Sequence, residues 1–117
     1  MTPSAPGFPS PDLLRGHLDL ILLTILERQP LYGFAIIQEA RARTDGYFDF
    51  REGSLYPALH RLEKAGLLST HDGETGRNGK PRKYYALTAE GVRWLALKRD
   101  EFEQFTGAVR SLGLGAL

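Results

Sequence analysis

Residues 53–88, GSLYPALHRLEKAGLLSTHDGETGRNGKPRKYYALT, constrain the fold of this chain more than any other stretch. Leu55, Leu59 and Leu62 recur at i, i+4 and i+7 and form one apolar stripe of a short helix. Ser54 is expected to be its N-cap, because a serine oxygen accepts readily from a free first-turn amide. Pro57 is then placed in the first turn, where a missing amide costs little. Gly66 marks the end, since helices commonly close on a left-handed residue. At about 100° per residue, Tyr56, Pro57, His60, Arg61 and Lys64 fan out opposite the leucines, with the acid Glu63 at the edge. A helix with such an outer face suits the DNA major groove, whose width admits an α-helix.

The continuation strengthens this reading. Leu67 and Leu68 open a strand and Thr88 closes the next, while the polar, glycine-rich stretch 72–81 is expected to be the loop between them. From Arg77 to Lys83 stand four cations, Arg77, Lys80, Arg82 and Lys83, and no acid. Alternation in the second strand puts Lys83, Tyr85 and Leu87 on one face and Arg82, Tyr84 and Ala86 on the other. A helix followed by a basic-tipped hairpin is the winged helix-turn-helix arrangement. In it the wing cations position the protein on phosphate, and the helix specifies sequence by touching base edges.

The motifs resemble those of the PadR-like transcriptional regulators. The matching residues are Tyr32-Gly33, Gly53-Ser54-Leu55-Tyr56-Pro57-Ala58-Leu59, Leu62-Glu63-Lys64-Ala65-Gly66-Leu67-Leu68, then Gly79 through Thr88, and Gly91. The likeness covers roughly residues 13 to 110. It implies a homodimeric, usually repressing, DNA-binding protein of the type with a short, single C-terminal helix. The candidate DNA-contacting residues are therefore Ser54, Tyr56, Pro57, His60, Arg61, Lys64, Arg77, Lys80, Arg82, Lys83 and Tyr84. A twofold dimer would place two such helices in successive major grooves of a pseudopalindromic site.

Three further helices are expected around this unit. The first, capped by Asp12, runs to about residue 28. Its stripe of Leu14, Leu18, Ile21, Leu22 and Ile25 is joined by a second one of Leu13, Leu20 and Leu23, so two sides are buried, the second against a partner chain. A second helix runs from Tyr32 to about Arg43 with Phe34, Ile36, Ile37 and Ala40 as apolar members. Gly33 within it implies close packing against a neighbour. Residues 47–50 are open between a short strand and an irregular connector. The last helix starts near Thr88 and runs to about Leu112, with Leu95, Phe102, Phe105, Val109 and Leu112 in a heptad pattern that Lys98 interrupts. That seam, with Leu13, Leu20 and Leu23, is the expected dimer interface.

The expected organisation is a mainly α protein with a small β-hairpin wing. Residues 1–11 are a disordered lead-in, 12–88 the DNA-binding domain, 89–112 the dimerisation helix and 113–117 a flexible tail. Four prolines among the first eleven residues, with neither a basic nor an apolar segment, exclude a secretory signal. Residues 54–83 hold six Lys/Arg against three Asp/Glu, so the remainder of this chain of net charge +1 is slightly acidic. The cations are concentrated where the helix and wing lie. Zero cysteines excludes thiol chemistry and fits a cytoplasmic protein. No apolar run is long enough to span a bilayer.

Catalysis has no support: His17, His60 and His71 lack ligand or triad spacing, no cofactor or metal motif occurs, and the 73–79 glycines lack the P-loop ending. The alternative function is a winged-helix protein–protein or RNA interaction module, since fold alone does not fix function. The resemblance also implies an effector, because multidrug-sensing relatives hold flat aromatic compounds between paired aromatics on the last helix. That position is Phe102 here, with Trp94 two turns nearer the wing. Two readings stand for each: interface or core packing, and contact with a planar aromatic ligand.

Overall fold

The computed structural model describes residues 9–113. Most of the expected lead-in (1–8) and of the tail (114–117) lies outside the described residues. The elements are α1 (Pro11–Leu26), β1 (Leu31–Tyr32), α2 (Gly33–Arg43), α3 (Glu52–Lys64), β2 (Leu68–Thr75), β3 (Pro81–Leu87) and α4 (Ala89–Ser111). The three strands form one antiparallel sheet in the order β1-β3-β2. The molecule is mainly helical with a winged helix-turn-helix topology, as the sequence implies.

Several boundaries differ from expectation for local reasons. Ser10, not Asp12, caps α1, accepting from the Leu13 amide at 3.2 Å, with Pro11 as first helical residue. Asp12 instead pairs with Arg15 one turn on, at 2.8 Å. The helix ends at Leu26, two residues early. Tyr32 is not helical: Leu31 and Tyr32 pair with Tyr85 and Tyr84 as a third strand, so Gly33 opens α2 rather than interrupting it. A Cβ at Gly33 would collide with the Tyr56 phenol, which is the close packing its sequence position implied.

The N-terminus of α3 also departs from the expected cap. The helix begins at Glu52 after an extended Arg51, with no side-chain cap, so Ser54 is its third residue and not its N-cap. Pro57 therefore falls beyond the first turn, and the Gly53 carbonyl loses its helical donor there. At the other end Gly66 has φ +82° and closes the helix. Its amide donates to Glu63 at 2.9 Å and the Leu67 amide to Leu62 at 3.0 Å, the paired bonds of a Schellman closure. Residues 47–50 are an irregular connector.

The core sits where the helices meet the sheet. Leu22, Leu23 and Leu26 of α1, Ile36 and Ala40 of α2, and Leu55, Leu59 and Leu62 of α3 are enclosed together with Tyr85 and Leu95. Each buried leucine contributes about 1.5–3 kcal/mol through apolar area removed from water. Leu23 (0% exposed) and Leu95 (2%) close this interior and leave no surface for a partner, which corrects their assignment to the dimer interface. A heptad position says that a side chain is covered, not by which chain.

Candidate nucleic-acid interface

The surface of α3 has an outward face and two flanks. At about 100° per residue, Pro57, His60 and Lys64 lie opposite the buried stripe, whereas Tyr56 and Arg61 fall to either side. All five, and Ser54, are exposed, yet the two flanking residues are engaged. The Tyr56 ring lies against Gly33 at the start of α2, and burial, with the nearby Glu52 carboxylate, pushes its hydroxyl pKa up. Arg61 is ion-paired to Asp19 of α1. Glu63 accepts from the Thr70 hydroxyl of β2 at 3.1 Å, which turns the lone acid of this face toward the sheet.

The wing is longer than its composition suggests. β2 extends through Thr75, so Asp72 and Thr75 pair with Lys83 and Pro81 on either side of an irregularity and the turn proper is only 76–80. A ladder needs backbone partners and not apolar side chains, so a polar, glycine-containing strand is compatible with an exposed ribbon. Gly73 has a cross-strand reason, because a Cβ there would strike the Tyr84 ring. The turn is held by the Gly76 amide on the Lys80 carbonyl (2.8 Å) and by the Lys80 amide on Asn78 Oδ1 (3.0 Å). Gly79 supplies its left-handed residue, with φ +78°.

Aromatic rings fix Arg82 at the wing base. The Arg82 guanidinium lies 4.3 Å from the centre of the Tyr32 ring. Tyr32 meets Tyr84 edge-on at 5.4 Å, and Tyr84 stacks on His71 at 5.6 Å. Arg82 and Tyr84 thus share one strand face, as alternation requires. Between wing and helices opens a cleft of about 690 Å³, lined by Tyr32, Phe34, Glu52 and Tyr56 on one side and Arg77, Lys80, Arg82 and Lys83 on the other. All four wing cations border this cleft, Arg82 and Lys83 from alternate faces of β3, with Glu52 as the acid among its lining residues. Ser54, Pro57, His60, Arg61, Lys64 and Tyr84 do not line it; Tyr84 is packed among Tyr32, His71 and Gly73.

Two residues here escaped sequence reasoning. Phe34, expected in the α2 core stripe, is 51% exposed at the cleft. Tyr32, expected within a helix, supports Arg82 from strand β1. The Phe34 position could have been suspected from its place one residue after the glycine that opens the helix, on the turn facing the wing.

A second region joins the first half of α1 to the far half of α4. Leu13 (53% exposed) and Phe105 (62%) stand free, Phe102 is more than one-third exposed, and Leu20 and Val109 are half-buried. The His17 ring meets Phe102 edge-on at 5.3 Å. Phe102 borders two grooves, one of about 370 Å³ reaching toward Phe48 and Ile25, the other of about 440 Å³ shared with Trp94 and Phe105. Trp94 is half-buried against the core, with Lys98 Nζ 5.5 Å over its ring. Arg99 of α4 clasps Glu27 just past α1 through two bonds of 2.6 and 2.8 Å, which holds the Glu27 carboxyl below its ordinary pKa. Among the described residues, no helix is long and apolar enough to cross a membrane.

Comparison with known proteins agrees with this geometry. Residues 22–97 match the family described as Transcriptional regulator PadR-like. An uncharacterized protein X of Lysinibacillus sphaericus is 39% identical over 85 residues, covering 73% of this chain and 77% of its own length. The transcriptional regulator YqjI of Escherichia coli K12 is 30% identical over 86% of this chain, which spans about half (46%) of that relative's length. Among solved structures, a transcriptional regulator from Clostridium thermocellum superposes with TM-score 0.79 at 32% identity, covering 90% of this chain and 98% of its own. A PadR family transcription regulator from Clostridium difficile R20291 gives TM-score 0.70 at 33% identity, covering 85% and 99%.

Proposed function

The chain belongs to the PadR-like family of transcriptional regulators, and from this premise we propose that it acts as a homodimeric repressor on a pseudopalindromic operator in the cytoplasm. Family membership implies DNA-binding regulation. The observation that carries the reading to particular residues is the cleft that Arg77, Lys80, Arg82 and Lys83 line together with the N-terminal ends of α2 and α3. In this reading the wing cations hold phosphate, and Pro57, His60 and Lys64 enter the major groove with α3. Leu13, Leu20, Phe102, Phe105 and Val109 meet their counterparts across a twofold axis. The 23 residues of α4 extend roughly 34 Å, farther than the winged domain covers.

Selection from a random DNA library tests this directly, and a bound consensus with dyad symmetry is the expected result. Lys80→Ala with Arg82→Ala should then weaken binding about equally on all sequences, and make its salt dependence shallower by roughly one unit per lost phosphate contact. Failure to enrich any sequence would favour a protein or RNA interaction module instead.

The effector reading places a planar aromatic compound beside Phe102. Such a ligand induces only by preferring the dimer spacing that does not fit the operator. Titration against the protein–operator complex should release DNA in the wild type and not in Phe102→Ala. Equal release from both would place the ligand elsewhere.

A further inference from the structure

Arg61 is the one cation of the α3 surface held by another helix. Its guanidinium pairs with Asp19 of α1, 42 residues away in sequence. Neither side chain is buried: Arg61 is 58% and Asp19 33% exposed, so solvent reaches the pair. Among the described residues Asp19 has no other ion-pair partner, whereas Lys98, which lines the same α1–α4 groove, is taken by Glu101 at 3.2 Å. On the neighbouring outward face, Lys64 and His60 have no ion-pair partner among the described residues.

A carboxylate and a phosphate present the same planar pair of acceptors to a guanidinium. The Asp19 carboxylate thus offers Arg61, from within the same chain, an acceptor of the kind that a DNA phosphate carries. We propose that Asp19 tempers the DNA affinity of this face: it withholds Arg61 and yields it only where a phosphate or base of the bound site comes within reach. The proposal rests on the DNA-binding reading above. An exposed pair is weak enough for DNA to displace, yet it lowers the return from every phosphate contact that Arg61 makes. That cost is the same for random and selected sites, so it lowers affinity for both by one factor and sets the strength of binding, not its selectivity. Because Asp19 also borders the groove beside Trp94 and Phe102, any rearrangement of α4 there bears directly on the recognition helix.

The experiment is a double-mutant cycle of Asp19→Asn and Arg61→Gln, measured by DNA binding to random and selected duplexes over a range of salt. Asp19→Asn should tighten binding to random and selected DNA alike, by up to about fivefold. It should also steepen the salt dependence by roughly one unit, as a newly freed cation contacts phosphate. In the Arg61→Gln background the same change should do nothing. Equal tightening in both backgrounds would mean that Asp19 merely repels DNA at a distance, which overturns the proposal. Weaker or unchanged binding by Asp19→Asn in the presence of Arg61 overturns it as well. A wild-type protein that binds no duplex at all sinks the DNA-binding reading itself, a result distinguishable from either.

Discussion

The two ends of α1 live in different surroundings. Toward its C-terminus, Leu22, Leu23, Ile25 and Leu26 are buried against α2, α3 and the sheet. Toward its N-terminus, Leu13 is exposed and Leu14 and Leu18 are only partly covered. α4 repeats the contrast in reverse, with Gly91 and Leu95 buried near the sheet and Phe102, Phe105 and Leu112 exposed farther out. The same residue types thus saturate their contacts within one chain at the winged domain and leave them unfilled some ten residues along. The first region is closed within the chain, and the second is left open.

That difference is most sharply broken by a pair of substitutions. Phe105→Glu should leave a charge buried and unpaired in the proposed dimer seam, at a cost of about 3–5 kcal/mol to association. Sedimentation should then show monomers that keep helical content but have lost most operator affinity. Leu59→Ala acts on the closed region and should lower unfolding free energy by roughly 3 kcal/mol. If Phe105→Glu leaves the oligomeric state unchanged, or if wild-type protein is monomeric at high concentration, the open region has no second copy to meet.

The smallest expected effect concerns the clasp between the two regions. Arg99 donates to Glu27 and so depresses the Glu27 carboxyl below its ordinary value near 4.5. A depressed acid contributes stability that is fully present above the unfolded value and is lost as pH falls through the lower folded one. Both side chains are substantially exposed, so the contribution after solvent screening is at most about 1 kcal/mol. Thermal melting of wild type and Glu27→Gln should therefore differ at neutral pH and converge as pH falls through the carboxyl's lowered folded value, beneath its ordinary value near 4.5. A difference that persists unchanged in acid would remove the clasp from the stability of the domain.

What the sequence discloses follows the range of the forces involved. Gly66 closing α3 and Thr88 capping α4 are local chemistry, and both stand where the residues imply. The basic wing tip was legible for the same reason. Strand β1 was not, since two residues become a strand only by meeting Tyr84 and Tyr85 from 52 and 54 positions downstream. The pairs Arg61–Asp19 and Arg99–Glu27 were equally hidden, at separations of 42 and 72 residues. Ser54 misled because a residue suited to capping is not bound to cap: the extended Arg51 fixes where α3 starts. Leu23 and Leu95 misled because an apolar period predicts cover without naming its source.

The junction between α3 and α4 carries a mechanical consequence. Thr88 Oγ1 donates to the Gly66 carbonyl at 2.7 Å and accepts from the Gly91 amide at 3.0 Å, so one hydroxyl fastens the end of α3 to the start of α4. The Thr88 amide adds a bond to the Leu67 carbonyl, and a Cβ at Gly91 would collide with that same oxygen. A rod clamped so tightly at its base behaves as a lever. Tilting a helix of roughly 34 Å by about 10° sweeps its tip through about 6 Å, around one helical turn. Run backwards, the same ratio turns a movement of about 4 Å at Phe105, roughly 24 Å from that base, into a rotation of roughly 10° at the junction with α3.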